Sequence, residues 1–271
     1  MEMGWTQLAQ QCLVEEDAAI IALNKPAGIA VTGERHDTDM VELAAAEGIT
    51  LYPVHRIDKV TSGLVLFAKE LSAHGGLTRQ FNKQTAEKRY LVITPATDLP
   101  DTGVIDLPLS VGRKNRVRIA APRETIRRDG EVWTVADNDL LEGKNYPSRT
   151  EFTVVARTER HTVLLARPVT GRRHQIRVHL AWVGYPIAGD PLFDKSGAYA
   201  RTHLHSWSLS VEAPWRTDPN LSLIATPGAD FFSMPTGPII DDPHAFLERI
   251  TNDRPLPKRP RRANSGGDRP A

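Results

Sequence analysis

Residues 150–169 read TEFTVVARTERHTVLLARPV, two stretches rich in Val, Thr and Leu on either side of a polar break at 158–161. β-Branched side chains favour extended backbone, and a short polar break between two such runs closes a hairpin. Whatever else this chain builds, it has to contain antiparallel strands. Further strands are expected in GLVLFAK (63–69), in KRYLVIT (88–94) with its basic lead-in, and in LHSWSLSV (204–211). AAIIALNKPAGIAVTG (18–33) alternates an apolar run with Pro26 and Gly28, the pattern of strand, turn, strand.

Helices interleave with these strands. MVELAAAEG (40–48) is Ala-rich, with Gly48 placed to end a helix. Ser72 is a candidate N-cap for a helix reaching Asn82, with Leu77 and Phe81 on one face. Thr170 and Gly171 open RRHQIRVHLAWVG, where Ile176, Leu180 and Val183 suit one side of a helix that Gly184 and Pro186 close. From 98 to 149 the pattern weakens into charged, turn-rich stretches, expected as short strands and loops that are largely exposed. The end, DRPLPKRPRRANSGGDRPA, is rich in Pro, Arg and Gly and predicts a disordered basic tail over 251–271 behind a single domain over 1–250. Arg254, Lys258, Arg259, Arg261, Arg262 and Arg269 give that tail its charge, which suits a solubilising role better than a binding one.

Bulk properties narrow the class little. Lys and Arg number 34 against 33 for Asp and Glu, so net charge alone implies no polyanionic partner, and local clusters decide. The single cysteine, Cys12, excludes an internal disulfide framework and fits a reducing, cytoplasmic setting. No stretch approaches the length of a membrane span, and no secretory leader is visible.

Candidate chemistry centres on HRIDKVTSGLVLFAKE (55–70). Alone, Asp58 ahead of Thr61, Ser62 and Gly63 is ordinary turn chemistry, with Thr61 and Ser62 bonding local backbone. Arg56 is expected to point away from Asp58 and to be free for a phosphate or an extruded base. A functional Asp58 then needs a cation from elsewhere, because a buried carboxylate is costly unless paired. RPVTGRRHQIRVHLAWVG supplies candidates in Arg167, Arg172, Arg173, His174, Arg177 and His179, with Arg173 and Arg177 placed on one helical face. Such a run suits phosphate contact or a solvated helix face. The histidines lack metal-ligand spacing, and His203 and His205 are expected to be structural. There is no Walker loop, no dinucleotide fingerprint and no nucleophile elbow.

In combination these segments resemble the RluA-type RNA pseudouridine synthases: HRIDKVTSGLVLFAKE matches the signature of that family, EKRYLVI its second motif, and TGRRHQIRVHLAWVGYPIAGDPLF its third. NKPAGIAV and LHSWSLSV also fall in the family's order, so the resemblance covers about residues 17–211. Ile57 stands where Leu is commoner and Val60 where a polar residue is frequent; neither removes a required atom. The resemblance implies an α+β fold built on a bent, mainly antiparallel mixed sheet with flanking helices and a central catalytic cleft. It implies RNA as partner, in a stem-loop of tRNA or ribosomal RNA, with no metal, organic cofactor, membrane or protein partner required. It further implies the absence of the N-terminal S4 domain that many relatives carry.

The roles it implies are Asp58 as the catalytic aspartate, Arg177 as its basic partner, and Tyr90 as the ring stacking on the target uracil and a candidate to assist proton removal from C5. Arg56 would displace the target nucleotide. Lys59, Lys88, Arg89, Arg172, Arg173 and His174 are the further candidates for RNA contact. The rival reading is a catalytically idle RNA-binding or chaperone protein on the same fold; a hydrolase with an Asp nucleophile lacks a second acid or metal ligands at fitting spacing.

Overall fold

The hairpin expected at 150–169 lies within a large mixed sheet. A computed structural model describes residues 4–33 and 38–253. In chain order its strands are β1 Leu13–Glu16, β2 Ile20–Lys25, β3 Tyr52–Pro53, β4 Ser62–Ala68, β5 Glu87–Thr94, β6 Thr102–Asp106, β7 Leu109–Val111 and β8 Val117–Ile119. They continue with β9 Arg127–Asp129, β10 Val132–Thr134, β11 Arg149–Arg157, β12 Thr162–Pro168, β13 Leu204–Glu212 and β14 Asn220–Ile224. The helices are α1 Trp5–Cys12, α2 Met40–Ala46, α3 Leu71–Asn82, α4 Gln175–Trp182 and α5 Pro243–Asp253.

The sheet runs β1-β2-β4-β13-β5-β12-β11-β6-β10-β9, with β14 added to β13 and β3 to β4. The pairings of β13 with β4 and of β10 with β6 are parallel and the rest antiparallel, so the α+β architecture with a mainly antiparallel mixed sheet is present. β11 and β12 pair across the turn where the Thr158 amide donates to the His161 carbonyl at 2.8 Å.

Both faces of the sheet centre are covered, which explains why its strands read as continuous apolar runs. In β4, Leu64, Leu66 and Ala68 face Ala73 and Leu77 of α3, while Val65 and Phe67 face Trp5 and Leu8 of α1 and Met40 and Ala44 of α2. In β5, Val92 packs with Leu164, Ala166 and α4, whereas Leu91 and Ile93 face Phe231, Phe232 and Phe246. Period-two alternation thus assigns Lys88 and Tyr90 to the α4 side, and Glu87 and Arg89 to the opposite one.

Gly63 is needed at the parallel pairing of β4 with β13. Its φ is +105°, and a Cβ there would lie 2.3 Å from the Ser206 carbonyl oxygen. Only a residue without a side chain lets the two backbones meet there.

Several local expectations need correction. Polar residues 5–12 form α1, because Trp5 and Leu8 share a buried face. The second strand expected near Ile29 and Val31 reduces to an isolated bridge between Ala30 and Asp39. α3 starts at Leu71 with Glu70 as its flanking residue; the Ser72 hydroxyl donates to Glu70 rather than capping the helix. α4 starts only at Gln175, since His174 has a left-handed backbone at φ 56°. Residues 98–149 are not largely exposed: Ile105, Leu107, Leu109, Ile119 and Trp133 join the core against α4, while alternate positions carry the charges outward. α5 extends to Asp253, past the expected start of the tail, and the rest of that tail lies outside the described residues.

Candidate active site

The loop between β3 and β4 carries HRID and is held from two sides. His55 Nε2 accepts from the Leu66 amide at 3.2 Å while its ring stacks on Phe81 of α3 at 4.6 Å. Burial, with Lys88 nearby, pushes that imidazole down to about 3, so it stays neutral and keeps its acceptor. Behind the loop, Lys25 is fully buried and its ammonium donates to the carbonyls of Pro26 at 2.8 Å, Ile29 at 2.7 Å and Lys59 at 3.4 Å. Burial pushes Lys25 down to about 7, against the opposing pull of Asp58. The Lys59 carbonyl also accepts from the Gly28 amide at 2.8 Å, sewing the NKPAG turn to the HRID loop.

Asp58 is thereby presented at the mouth of β4, with a side chain 18% exposed. Arg177 arrives from α4, and its NH1 donates to Asp58 Oδ2 at 2.8 Å. The same guanidinium grips Asp190 in a bidentate pair, Nε to Oδ2 at 2.7 Å and NH2 to Oδ1 at 2.8 Å. Arg177 is 4% exposed and Asp190 0%. The Leu192 amide donates to Asp190 Oδ1 at 2.9 Å, fixing this second carboxylate. The acids raise Arg177 further against the effect of burial. Asp190 is a functional residue that the sequence reading missed. An acid between Gly189 and Pro191, in an apolar stretch of the third motif, was the available signal.

Asp58 Oδ1 faces His174 Nε2 at 3.6 Å, beyond hydrogen-bond length, and so retains its acceptor capacity. Burial lowers the His174 imidazole, with Asp58 pulling the other way and Arg177 and Arg173 reinforcing the burial.

The cleft in front of Asp58 has a volume of about 460 Å³. Arg56, Asp58, Lys88, Tyr90, Arg172, Arg173, His174 and Arg177 all line it. Arg56 is exposed and shares this cleft with Asp58, contrary to the expectation that the two diverge. Two-residue spacing in extended chain puts side chains on one side, which is the physical reason. Lys59 borders a smaller cavity of about 200 Å³ on the other side of Asp58. Lys88 is buried in the wall and pushed down to about 8 by that burial. Arg89 is not brought to the cleft, because strand parity turns it to the opposite face.

Tyr90 forms part of the cleft wall and bonds Ser206. Burial and the charge of Asp58 push its phenol up to about 12, against the Ser206 bond. A phenol held protonated is a ring and a donor, not a base at neutral pH. Arg172 leans over the Tyr146 ring at 5.6 Å, and Arg173 bonds Asn115 of the β7–β8 turn. Neither lies on the helical face of Arg177, because α4 begins after them.

The other polar residues of the third motif brace it. Gln175 accepts from Thr170 Oγ1 at 2.6 Å and from the Arg172 amide at 3.0 Å, and donates to the Arg149 carbonyl at 2.9 Å. His179 sits between Thr150 Oγ1 and the Leu107 carbonyl, both at 2.9 Å, and burial pushes it down to about 4. His203 and His205 have the expected structural bonds, to the carbonyls of Phe231 and Ala225. Ser62, expected to fix the local turn, instead bonds His205 Nδ1 at 2.8 Å and Arg201.

A carboxylate on a buried arginine, in a cleft walled by basic and aromatic side chains, is the class of site found here. The comparisons with known proteins place it. The model of the RNA pseudouridylate synthase family matches residues 19–182, and the chain belongs to this family. It is 36% identical over 225 residues to the ribosomal large subunit pseudouridine synthase C of Pasteurella multocida, covering 77% of this chain and 62% of that one. Against the dual-specificity RNA pseudouridine synthase RluA of Vibrio vulnificus it is 34% identical, covering 78% of this chain and 79% of that one. The chain thus spans less than two thirds of the first of these relatives. In fold it is similar to the human RNA pseudouridylate synthase domain containing 4, with TM-score 0.66, 23% identity, and 84% of this chain and 92% of that one covered. The idle RNA-binding reading gains no support from relatives named as synthases.

Proposed function

We propose that the chain is an RNA pseudouridine synthase that isomerises a uridine in a stem-loop of ribosomal RNA or tRNA in the cytoplasm, with Asp58 as its catalytic carboxylate. The observation that carries this is the asymmetry of Asp58. One oxygen is fixed by Arg177 at 2.8 Å, while the other opens towards a cleft with Tyr90 in its wall. Names of relatives favour ribosomal RNA, and the dual-specificity relative leaves room for a second RNA class.

In the reaction the N1–C1′ bond breaks, a C5–C1′ bond forms, and the proton lost from C5 is balanced by one gained at N1. Nothing is oxidised or reduced. An ionised carboxylate can attack C1′, attack C6 or assist elimination, then leave. The nearby guanidinium favours that ionised form. Extruding the base costs about a few kcal/mol, and stacking on Tyr90 returns on the order of 1–3 kcal/mol. With its phenol protonated, Tyr90 serves by its ring face. Arg56 at the rim is placed to fill the gap the base leaves, and Lys88, Arg172, Arg173 and Lys59 to meet phosphates.

Asp58→Asn tests the role directly. Pseudouridine formation in unmodified RNA from cells lacking the protein should vanish while RNA affinity stays close to wild type. Turnover by the variant would remove Asp58 from the chemistry, and mapping the pseudouridines restored by the wild type identifies the target.

A further inference from the structure

A second concavity lies at the far end of α4. Gln175 and Arg177 line the catalytic cleft, whereas Ala181 and Trp182 line a separate open groove of about 570 Å³. From Gln175 to Trp182 the helix advances about 10 Å at 1.5 Å per residue. The groove is apolar and aromatic. Trp182 and Phe193 meet edge to face at 6.1 Å, and Leu141 and Leu192 also line it, the latter 49% exposed. Arg123 closes the helix end, its Nε donating to the Trp182 carbonyl at 3.0 Å and its NH2 to Ala181 at 3.2 Å. Arg118 stands at the rim.

The β7–β8 hairpin connects this groove to the cleft. Its turn is tied to the cleft by the Arg173–Asn115 contact, and its last strand packs on α4 and delivers Arg118 to the groove. Arg113, Lys114, Arg116 and Arg118 are all exposed along it, and among the described residues none of the four forms an ion pair. A run of unneutralised cations attracts a polyanion, and an open aromatic groove at its end accepts a flat apolar face.

We infer that this groove is a second RNA subsite, in which an unpaired nucleobase flanking the target stacks on Trp182 while Arg118 and the hairpin hold the intervening phosphates. The inference rests on the synthase reading. RNA is favoured over a protein ligand because the groove continues a basic path that starts in the catalytic cleft. At ~3.4 Å per stacked nucleotide, the 10 Å separation spans roughly three nucleotides.

The test uses the full chain with unmodified large-subunit ribosomal RNA and tRNA transcripts carrying 4-thiouridine. Photo-cross-linking followed by peptide mapping should find adducts on peptides bearing Trp182 or Phe193 as well as on that bearing Tyr90. Trp182→Leu, which keeps the groove apolar but removes the stacking face, should weaken RNA binding and raise KM roughly tenfold, and Trp182→Phe should restore most of it. Arg118→Ala should weaken binding on all RNAs and reduce the salt slope by about one. Adducts at Tyr90 alone, with wild-type affinity for Trp182→Leu, would overturn the subsite and leave the synthase reading intact. No pseudouridine from the wild-type chain on either transcript, with no adduct at Tyr90, would overturn that reading and this inference with it.

Discussion

Arg167 and Arg177 come from the same basic run and bind acids in the same pattern, yet they build different things. Arg167 takes Glu87 in a bidentate grip, at 2.9 and 3.1 Å, and reaches Glu151 through NH1 at 2.8 Å. Arg177 takes Asp190 in a bidentate grip and reaches Asp58 through NH1. The difference lies in the last oxygen. Glu151 Oε1 is occupied by Arg149 at 3.2 Å, so that cluster is saturated and joins β5, β12 and β11. Asp58 Oδ1 is left open towards the cleft. Solvent separates the two further: Arg167 is 41% exposed and Arg177 4%. A half-exposed saturated network is scaffold, while a buried one with a single unsatisfied acceptor is poised for chemistry.

The sharpest way to break this contrast is Arg177→Ala. It strands two carboxylates, one of them fully buried, and should destabilise the fold by about 3–5 kcal/mol in denaturant titration. Activity at a temperature where the variant is folded should fall at least ~100-fold, since Asp58 loses the contact that places it. Arg177→Lys should recover little, because an ammonium cannot reproduce the fork that spans both acids. Wild-type rates from either variant would make Arg177 as dispensable to the reaction as Arg167.

Asp190→Asn probes the buried cluster more gently. Asp190 touches no substrate in this scheme and acts by positioning Arg177. The amide keeps one acceptor, so the stability loss should be about 1.5–3 kcal/mol, the range for a hydrogen bond to a charged group. Turnover should fall between ~10- and ~100-fold as Arg177 loses its second anchor. With one negative charge gone, ionisation of the remaining carboxylate is favoured, so the acid limb of the kcat–pH profile should move to lower pH. A purely structural loss would lower folded yield without moving that limb.

The contrast also marks how much was legible in the sequence. The Asp58–Arg177 pairing was reachable because motif order ties distant residues together, and the main strands were legible because their apolar runs are long. Arg89 was misplaced beside Lys88 and Tyr90, although period-two alternation in EKRYLVI already assigns it to the other face. The same rule puts Arg56 with Asp58. Asp190 and α4's late start were harder to see. One depends on where a loop returns to the sheet, and the other on a left-handed His174 that no propensity announces. Phe231, Phe232 and Phe246, which cover the back of β5, had no periodicity to connect them before the fold brought them together.

The smallest effect should come from Arg167→Ala. Its acids, Glu87 and Glu151, are 21% and 33% exposed, so water can solvate them once the guanidinium is gone. Arg149 still holds Glu151 at 3.2 Å, which leaves Glu87 as the main group to lose its partner. Exposed ion pairs contribute about 0–1 kcal/mol, and this network should sit near the upper end of that range. Because Arg167 and Glu87 share the face of Leu165 and Leu91 rather than that of Tyr90, pseudouridine formation should be unchanged within twofold, about 0.4 kcal/mol in barrier. If Arg167→Ala instead lowered turnover tenfold without loss of stability, charge on the back of the sheet would be reaching Asp58 through β5, and the division between saturated scaffold and open site would fail.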